Sequence, residues 1–226
     1  MNAILPTPAL GDLVQAVRAA GSSHEEFFGF PIREDGLYLQ QDPEEYASFV
    51  HFVATQVPAA DLTLEIGIAS GGQTKFLRDY WQAKRTIVVD LGQHEVFPHW
   101  TRIKKSLNSE LVAEIIDDSH APHVREKLLP YAGKVDFAFI DGDHSYRGLR
   151  KDIFLAKELL RPGGLMVLHD TNAMGELRRI FEELTFSRDF KIVRNFQNRF
   201  GISIWKMVQV KRMPNAFNRA TGWGRI

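Results

Sequence analysis

The chain has 226 residues, 44% of them hydrophobic and 25% charged, which supplies the core of one globular domain and excludes a wholly disordered chain. It has no cysteine, so disulfide frameworks, thiolate-held zinc, iron–sulfur clusters and a thiol nucleophile are excluded together. The 28 basic and 28 acidic residues cancel unevenly: residues 171–226 hold 11 basic and 4 acidic side chains, a net of +7, and the first 170 residues carry −7. A basic C-terminal region reads as a solvated surface, or as a contact for an anionic acceptor, nucleic acid or a second subunit. No apolar run approaches the ~20 residues that cross a membrane, and the expected location is the cytoplasm.

Residues 1–40 are weakly patterned. A helix is predicted where Asp42 caps, Pro43 takes the first position and Glu44 and Glu45 put negative charge in the first turn. Tyr46, Phe49, Val50, Val53 and Val57 then share a face, and Pro58 ends the helix. From residue 61 short apolar runs alternate with helical stretches. Strands are predicted at Leu62–Ile66, Arg85–Val89, Glu114–Ile116, Val135–Ile140 and Leu165–Leu168, with Asn108–Val112 as a connecting segment and Arg161–Gly164 as a turn. Helices are predicted at Gln73–Trp81, His123–Leu129, Tyr146–Leu160 and from Gly175 to Leu184. Phe190–Val193 and Ile202–Met207 complete the chain as two strands around the polar loop Asn195–Arg199. The expected fold is α/β: a Rossmann-like, doubly wound, mostly parallel seven-stranded sheet with a C-terminal antiparallel hairpin and an N-terminal helical extension. The corresponding domain division is 1–57 as a helical extension or lid, 58–208 as the α/β domain and 209–226 as a basic tail.

Ligands of open α/β sheets bind outside the carboxyl ends of the strands. Those ends are acidic here: Glu65, Asp90, Asp117 with Asp118, Asp141 and Asp170. One such acid is ordinarily a turn former, but five strand ends in succession describe a site. The first loop, Gly67-Ile68-Ala69-Ser70-Gly71-Gly72, is built of small residues that let a ligand approach the backbone. Its spacing nearly reproduces a dinucleotide cradle, with Asp90 placed to hold a ribose. Glu65 directly before the loop opposes that reading, because a carboxylate repels phosphate and attracts an ammonium or sulfonium group.

Leu64-Glu65-Ile66-Gly67-Ile68-Ala69-Ser70-Gly71-Gly72, Val88-Val89-Asp90 and Ile116-Asp117-Asp118-Ser119 resemble the cofactor motifs of class I S-adenosylmethionine-dependent methyltransferases. Phe139 to Tyr146, Leu160 to Gly164 and Val167 to Thr171 are most similar to the bacterial subgroup of sugar and natural-product O-methyltransferases. The resemblance covers residues 61–207. It implies S-adenosylmethionine as cofactor, with Glu65 and Gly67 at its methionine end, Asp90 at the ribose and Asp118 with Ser119 at the adenine. Ala69, Ser70, Gly71, Gly72 and Asp141 complete the expected cofactor contacts. Asp141, Asp143, His144, His169 and Asp170 are left near the transferring methyl, with Asp141 and His144 as catalytic candidates and His144 as the general base.

Related families place a divalent ion near the fourth and fifth strands, and hard ligands suit Mg2+ or Mn2+. Asp141 and Asp170, with His169 as a third ligand, are the candidates here, although His169-Asp170 stands where relatives have Glu-Asp. The implied partner is a small hydroxylated acceptor rather than nucleic acid or a membrane, with homo-oligomerisation left open. Two alternatives are a nucleic-acid methyltransferase using Lys211, Arg212, Arg219 and Arg225, and a scaffold that binds cofactor without turnover. His120-x-x-His123 beside Asp117 and Asp118 is assigned a structural role.

Overall fold

The computed structural model of the chain describes residues 4–20, 39–173 and 175–208. The basic tail, including Lys211, Arg212, Arg219 and Arg225, lies outside them. In chain order the elements are α1 (Leu10–Ala19), α2 (Pro43–Gln56), β1 (Ala60–Ile66), α3 (Gly72–Tyr80), β2 (Ala83–Asp90), α4 (Trp100–Ile103), β3 (Glu110–Ile116), α5 (Pro122–Leu128), β4 (Val135–Ile140), α6 (Tyr146–Leu159), β5 (Leu160–Leu168), α7 (Gly175–Thr185), β6 (Phe190–Phe196) and β7 (Ile202–Met207).

The seven strands form one sheet in the order β3-β2-β1-β4-β5-β7-β6. β3, β2, β1, β4 and β5 are parallel, and β7 runs antiparallel to both β5 and β6. The chain order reverses between β1 and β4, which puts a topological switch point, where doubly wound sheets bind ligands, at the ends of those two strands. Side-chain alternation along β4 feeds two cores: Ala138 and Ile140 pack with α5, α6 and α7, while Phe137 and Phe139 pack with α1, α2 and α3. Phe49 of α2 sits between Phe139 at 5.7 Å and Phe196 at 6.3 Å. Burying one such ring stabilises the fold by about 2–3 kcal/mol, which fastens α2 to the sheet.

The predicted cap is present: Glu45 N donates to the Asp42 carboxylate at 2.9 Å, with Pro43 at the first helical position. Val57 stands just past the end of that helix, in extended backbone. Several elements differ from the sequence reading: β6 runs on to Phe196, through the start of the predicted Asn195–Arg199 loop, and α4 is not predicted. β3 begins at Glu110, because a register shift opposite Thr86 and Ile87 leaves Val112 unpaired and breaks the period-two pattern. β5 begins at Leu160 and carries Arg161-Pro162-Gly163-Gly164 as an irregularity between its pairings with Val135 and Phe137. α1 buries only Leu13 and Val17, a stripe too narrow to stand out in the weakly patterned N-terminal stretch. No helix among the described residues is long and apolar enough to cross a membrane.

Candidate active site

The loops after β1 and β4 continue their strand ladder one step further. Gly67 N donates to Val89 O at 2.9 Å and Asp141 N donates to Ile66 O at 2.8 Å. This presses Gly67, at φ +80°, against the next loop so closely that a β-carbon would lie 2.2 Å from Asp141 O. Gly71, at φ +81°, is covered by Trp100, whose ring would stand 2.3 Å from a β-carbon. The sequence suggests that these glycines make room for a ligand; the structure shows that their missing side chains make room for the protein itself. Ala69 is also left-handed at φ 47°, and Gly72 N donates to Ser70 Oγ at 3.1 Å, closing the turn.

Asp90 holds that turn from below. Its Oδ2 accepts from Ile68 N at 2.7 Å and Ala69 N at 3.3 Å, and its Oδ1 accepts from Gly92 N at 2.6 Å. Oδ1 accepts only one bond and keeps a second lone pair, so the group retains capacity for a ribose hydroxyl. Glu65 is fully buried at the end of β1, and Arg78 Nη2 from α3 lies 3.8 Å from its Oε2. Burial raises the Glu65 pKa, an effect the Arg78 charge only partly offsets, and burial lowers that of Arg78. The Thr74 hydroxyl, at the start of α3, also favours the charged form of Glu65. Arg78 also donates to Thr63 Oγ1 at 2.9 Å. Sequence reading missed it because a basic residue late in a helix resembles ordinary surface charge.

The carboxyl ends of the adjacent strands β4 and β5 bring together two carboxylates and two imidazoles. His144 Nε2 lies 3.3 Å from Asp141 Oδ1 and 3.4 Å from Asp170 Oδ2. His169 Nδ1 lies 3.3 Å from Asp141 Oδ1 and 3.2 Å from Asp170 Oδ1. His144 is 38% exposed and His169 only 5%, so one ring faces outward and the other backs the cluster from within. Burial opposes ionisation of Asp141, but the charge of His169 and the bond from His144 hold its carboxyl well below the usual range. The His144 pKa is raised, chiefly by its bond to Asp141 and against the effect of burial. For His169 burial is again opposed, here by the charges of Asp141 and Asp170, which raise its pKa well above the ordinary value. Asp170 adopts φ 57°, a left-handed backbone that costs a non-glycine residue about 1–3 kcal/mol.

Asp141, His144 and Asp170 each present one ligand atom, all within 4.8 Å of one another. The sequence reading names His169 as the third ligand beside the two aspartates; the structure gathers His144 with them, and His169 Nδ1 lies equally close to both carboxylates. Asp143 faces away into its own loop, accepting from Ser145 N at 2.8 Å.

On the other side of the crevice, Asp118 Oδ1 accepts from His120 N at 2.8 Å, and Ser119 Oγ donates to Asp152 Oδ1 at 2.7 Å. His120 Nε2 lies 3.2 Å from the same Asp152 oxygen. Asp152, fully buried in α6, thus ties the loop after β3 to the helix after β4. Its place among the charges of an amphipathic helix hides it in the sequence. His123 pairs instead with Asp117 at 2.7 Å on the exposed surface, so the His120-x-x-His123 pair does not converge.

Residues 64–171, which contain the glycine turn, the strand-end acids and the cluster, match the family model described as a methyltransferase domain. Over these residues the chain carries a methyltransferase domain. Among solved structures, this methyltransferase is similar to the O-methyltransferase TomG from Streptomyces achromogenes, involved in tomaymycin synthesis and solved in complex with S-adenosylmethionine. The identity is 17%, covering 86% of this chain and 90% of that one, with a TM-score of 0.56. An O-methyltransferase from Bacillus cereus, in complex with S-adenosylhomocysteine, is 18% identical over 89% and 92% of the two chains, TM-score 0.52. A putative RNA methyltransferase from Pyrococcus horikoshii is 12% identical over 90% and 98%, TM-score 0.55. These likenesses show the shared fold. A search of curated proteins finds no match to the sequence.

Proposed function

We propose that the methyltransferase uses S-adenosylmethionine to methylate a hydroxyl group of a small molecule such as a sugar or a natural product. The observation that carries this reading is the Asp141–His144–His169–Asp170 cluster on neighbouring strand ends, directly beside the Gly67 turn. The donor supplies a methyl group already activated by positively charged sulfur, so the protein needs to align two reactants and remove one proton.

The residues fit the donor's chemistry. Asp90 and Asp118 are carboxylate acceptors on the strand-end rim that would serve ribose and adenine, and Glu65 adds a buried acidic group at the end of β1. Ser119 keeps its hydroxyl on Asp152, so its contribution to an adenine runs through its backbone. At the acceptor end, His144 is the exposed imidazole of the cluster. Its Nε2–H faces Asp141 and Asp170, which leaves Nδ1 as the nitrogen that takes the acceptor's hydroxyl proton. His169, buried between the same two carboxylates, fixes their spacing. A divalent ion also fits: Asp141, Asp170 and His144 would hold Mg2+ or Mn2+, which would lower the acceptor's pKa.

The test is a screen of purified protein and labelled S-adenosylmethionine against hydroxylated metabolites, with and without EDTA and added Mg2+ or Mn2+. Label on a hydroxyl oxygen, lost in His144→Ala, supports the reading. Label on RNA, with salt-sensitive RNA binding and no small-molecule product, overturns it in favour of a nucleic-acid acceptor.

A further inference from the structure

We infer that Glu45, in the first turn of α2, is a positioning residue that sets the backbone of the reactive cluster through the loop joining β6 and β7. The inference rests on the cluster being the acceptor-side site. Glu45 is 1% exposed, and among the described residues its carboxylate meets no cation that would explain its burial as an ion pair. It receives a row of backbone N–H groups instead. Arg199 N donates to Oε1 at 3.4 Å, Phe200 N to Oε2 at 3.0 Å, and Gly201 N to Oε1 and Oε2 at 3.0 and 3.1 Å. Bonds of N–H groups to a buried charged acceptor are among the stronger hydrogen bonds in a protein.

The same three residues reach forward to the cluster. Thr171 N donates to Gly201 O at 3.1 Å, Asn172 N to Phe200 O at 2.7 Å, and Asn172 Nδ2 to Arg199 O at 3.3 Å. Asp170, whose left-handed backbone needs support, immediately precedes this zipper. Gly201, at φ +89°, lets the strands of the zipper close: a β-carbon there would lie 2.6 Å from Asn172 N. The Phe200 ring stands 6.4 Å from His169, so the loop also backs the buried imidazole. One face of the loop thus meets Glu45 and the other meets the segment that carries Asp170. Glu45 does not touch the cluster; it acts by holding the loop that holds Asp170 in its strained conformation.

The test compares wild type with Glu45→Gln, which keeps the shape but replaces one acceptor oxygen by a donor, and with Glu45→Asp as the conservative variant. Three readouts are needed: amide hydrogen exchange by mass spectrometry, adenosylhomocysteine titration calorimetry, and turnover with a hydroxyl acceptor found in the screen. In Glu45→Gln, exchange at 170–172 and 199–201 is expected to rise roughly tenfold or more, with residues 64–72 unchanged. Adenosylhomocysteine affinity should stay within about twofold while kcat falls at least about tenfold, and Glu45→Asp should recover part of the loss. Faster exchange confined to 199–201 would overturn the inference, as would a loss of protection spread equally over 64–72 with a parallel loss of affinity, which marks a merely structural residue. If no hydroxyl compound is methylated by wild type yet exchange at 170–172 responds as expected, the acceptor reading fails and the positioning link stands.

Discussion

Gly67→Ala tests whether the switch point of the sheet is shaped by protein contacts. The substitution meets two costs that can be separated. The first is conformational: Gly67 has φ +80°, a region where an L side chain costs about 1–2 kcal/mol. The second is steric: the new β-carbon would lie 2.2 Å from Asp141 O, 2.5 Å from Asp141 C and 2.8 Å from Gly142 Cα, all backbone atoms of the β4 loop. Backbone cannot rotate away as a side chain does, so overpacking adds about 1–3 kcal/mol. Gly133 supplies the control, having φ +69° with nothing within 4 Å of its would-be β-carbon, so Gly133→Ala meets the first cost alone. For a chain of this size about 1 kcal/mol moves Tm by about 2–4 °C. The expected losses are therefore about 2–8 °C for Gly133→Ala and about 4–20 °C for Gly67→Ala. Scanning calorimetry measures both, and titration with adenosylhomocysteine shows whether only Gly67→Ala loses affinity. Equal Tm losses in the two variants, or unchanged affinity in Gly67→Ala, would refute the close approach of the two loops.

Other expectations follow from the same geometry. Asp90→Asn leaves one oxygen for three backbone N–H groups, so it should destabilise the fold by about 1–3 kcal/mol in urea unfolding and weaken adenosylhomocysteine binding; unchanged binding would remove Asp90 from the site. Arg78→Met leaves Glu65 buried without its counter-charge, at a cost of about 3–5 kcal/mol, and adding Glu65→Gln should restore part of it; a double variant as unstable as the sum of the singles would argue against the pairing. His120 is raised above its ordinary pKa, first by its bond to Asp152 and against burial. Its contribution is therefore complete below about pH 6.5 and lost as pH climbs through the raised folded value. Urea midpoints should fall from pH 6 to pH 8.5 more steeply in wild type than in His120→Gln, and parallel slopes would contradict this assignment.

How much of this could be read in the sequence depended on whether the information was local. Val135–Ile140 has the same bounds in both readings because a strand covered on both faces is a continuous apolar run between polar ends. Asp42 and Pro43 announce their helix for an equally local reason, the unpaired N–H groups of its first turn. Bulges hide strands: Val112 and the Arg161–Gly164 stretch carry turn chemistry or broken alternation, yet both lie inside strands because a neighbour supplies the ladder.

At the site, the strand-end acids were legible because topology alone puts them on one rim. Their partners were not. Glu45 reads as helix-dipole charge, and its three N–H donors lie more than 150 residues away in the chain. Asp152 and Arg78 likewise sit among solvated charges in the sequence, and only the fold turns them inward. That His144 joins the two aspartates as a gathered ligand atom was hidden for a similar cause, since residue spacing gives no indication of which ring faces outward.

The central claim is that the acids along the carboxyl ends of β1 to β5 form one crevice that binds an adenosyl sulfur compound. Titration calorimetry of the purified chain with adenosylhomocysteine tests it most directly. The account predicts saturable binding at one site per chain, weakened by Asp90→Asn and by Gly67→Ala. No heat at millimolar ligand, or preferential binding of a nicotinamide dinucleotide, would contradict it.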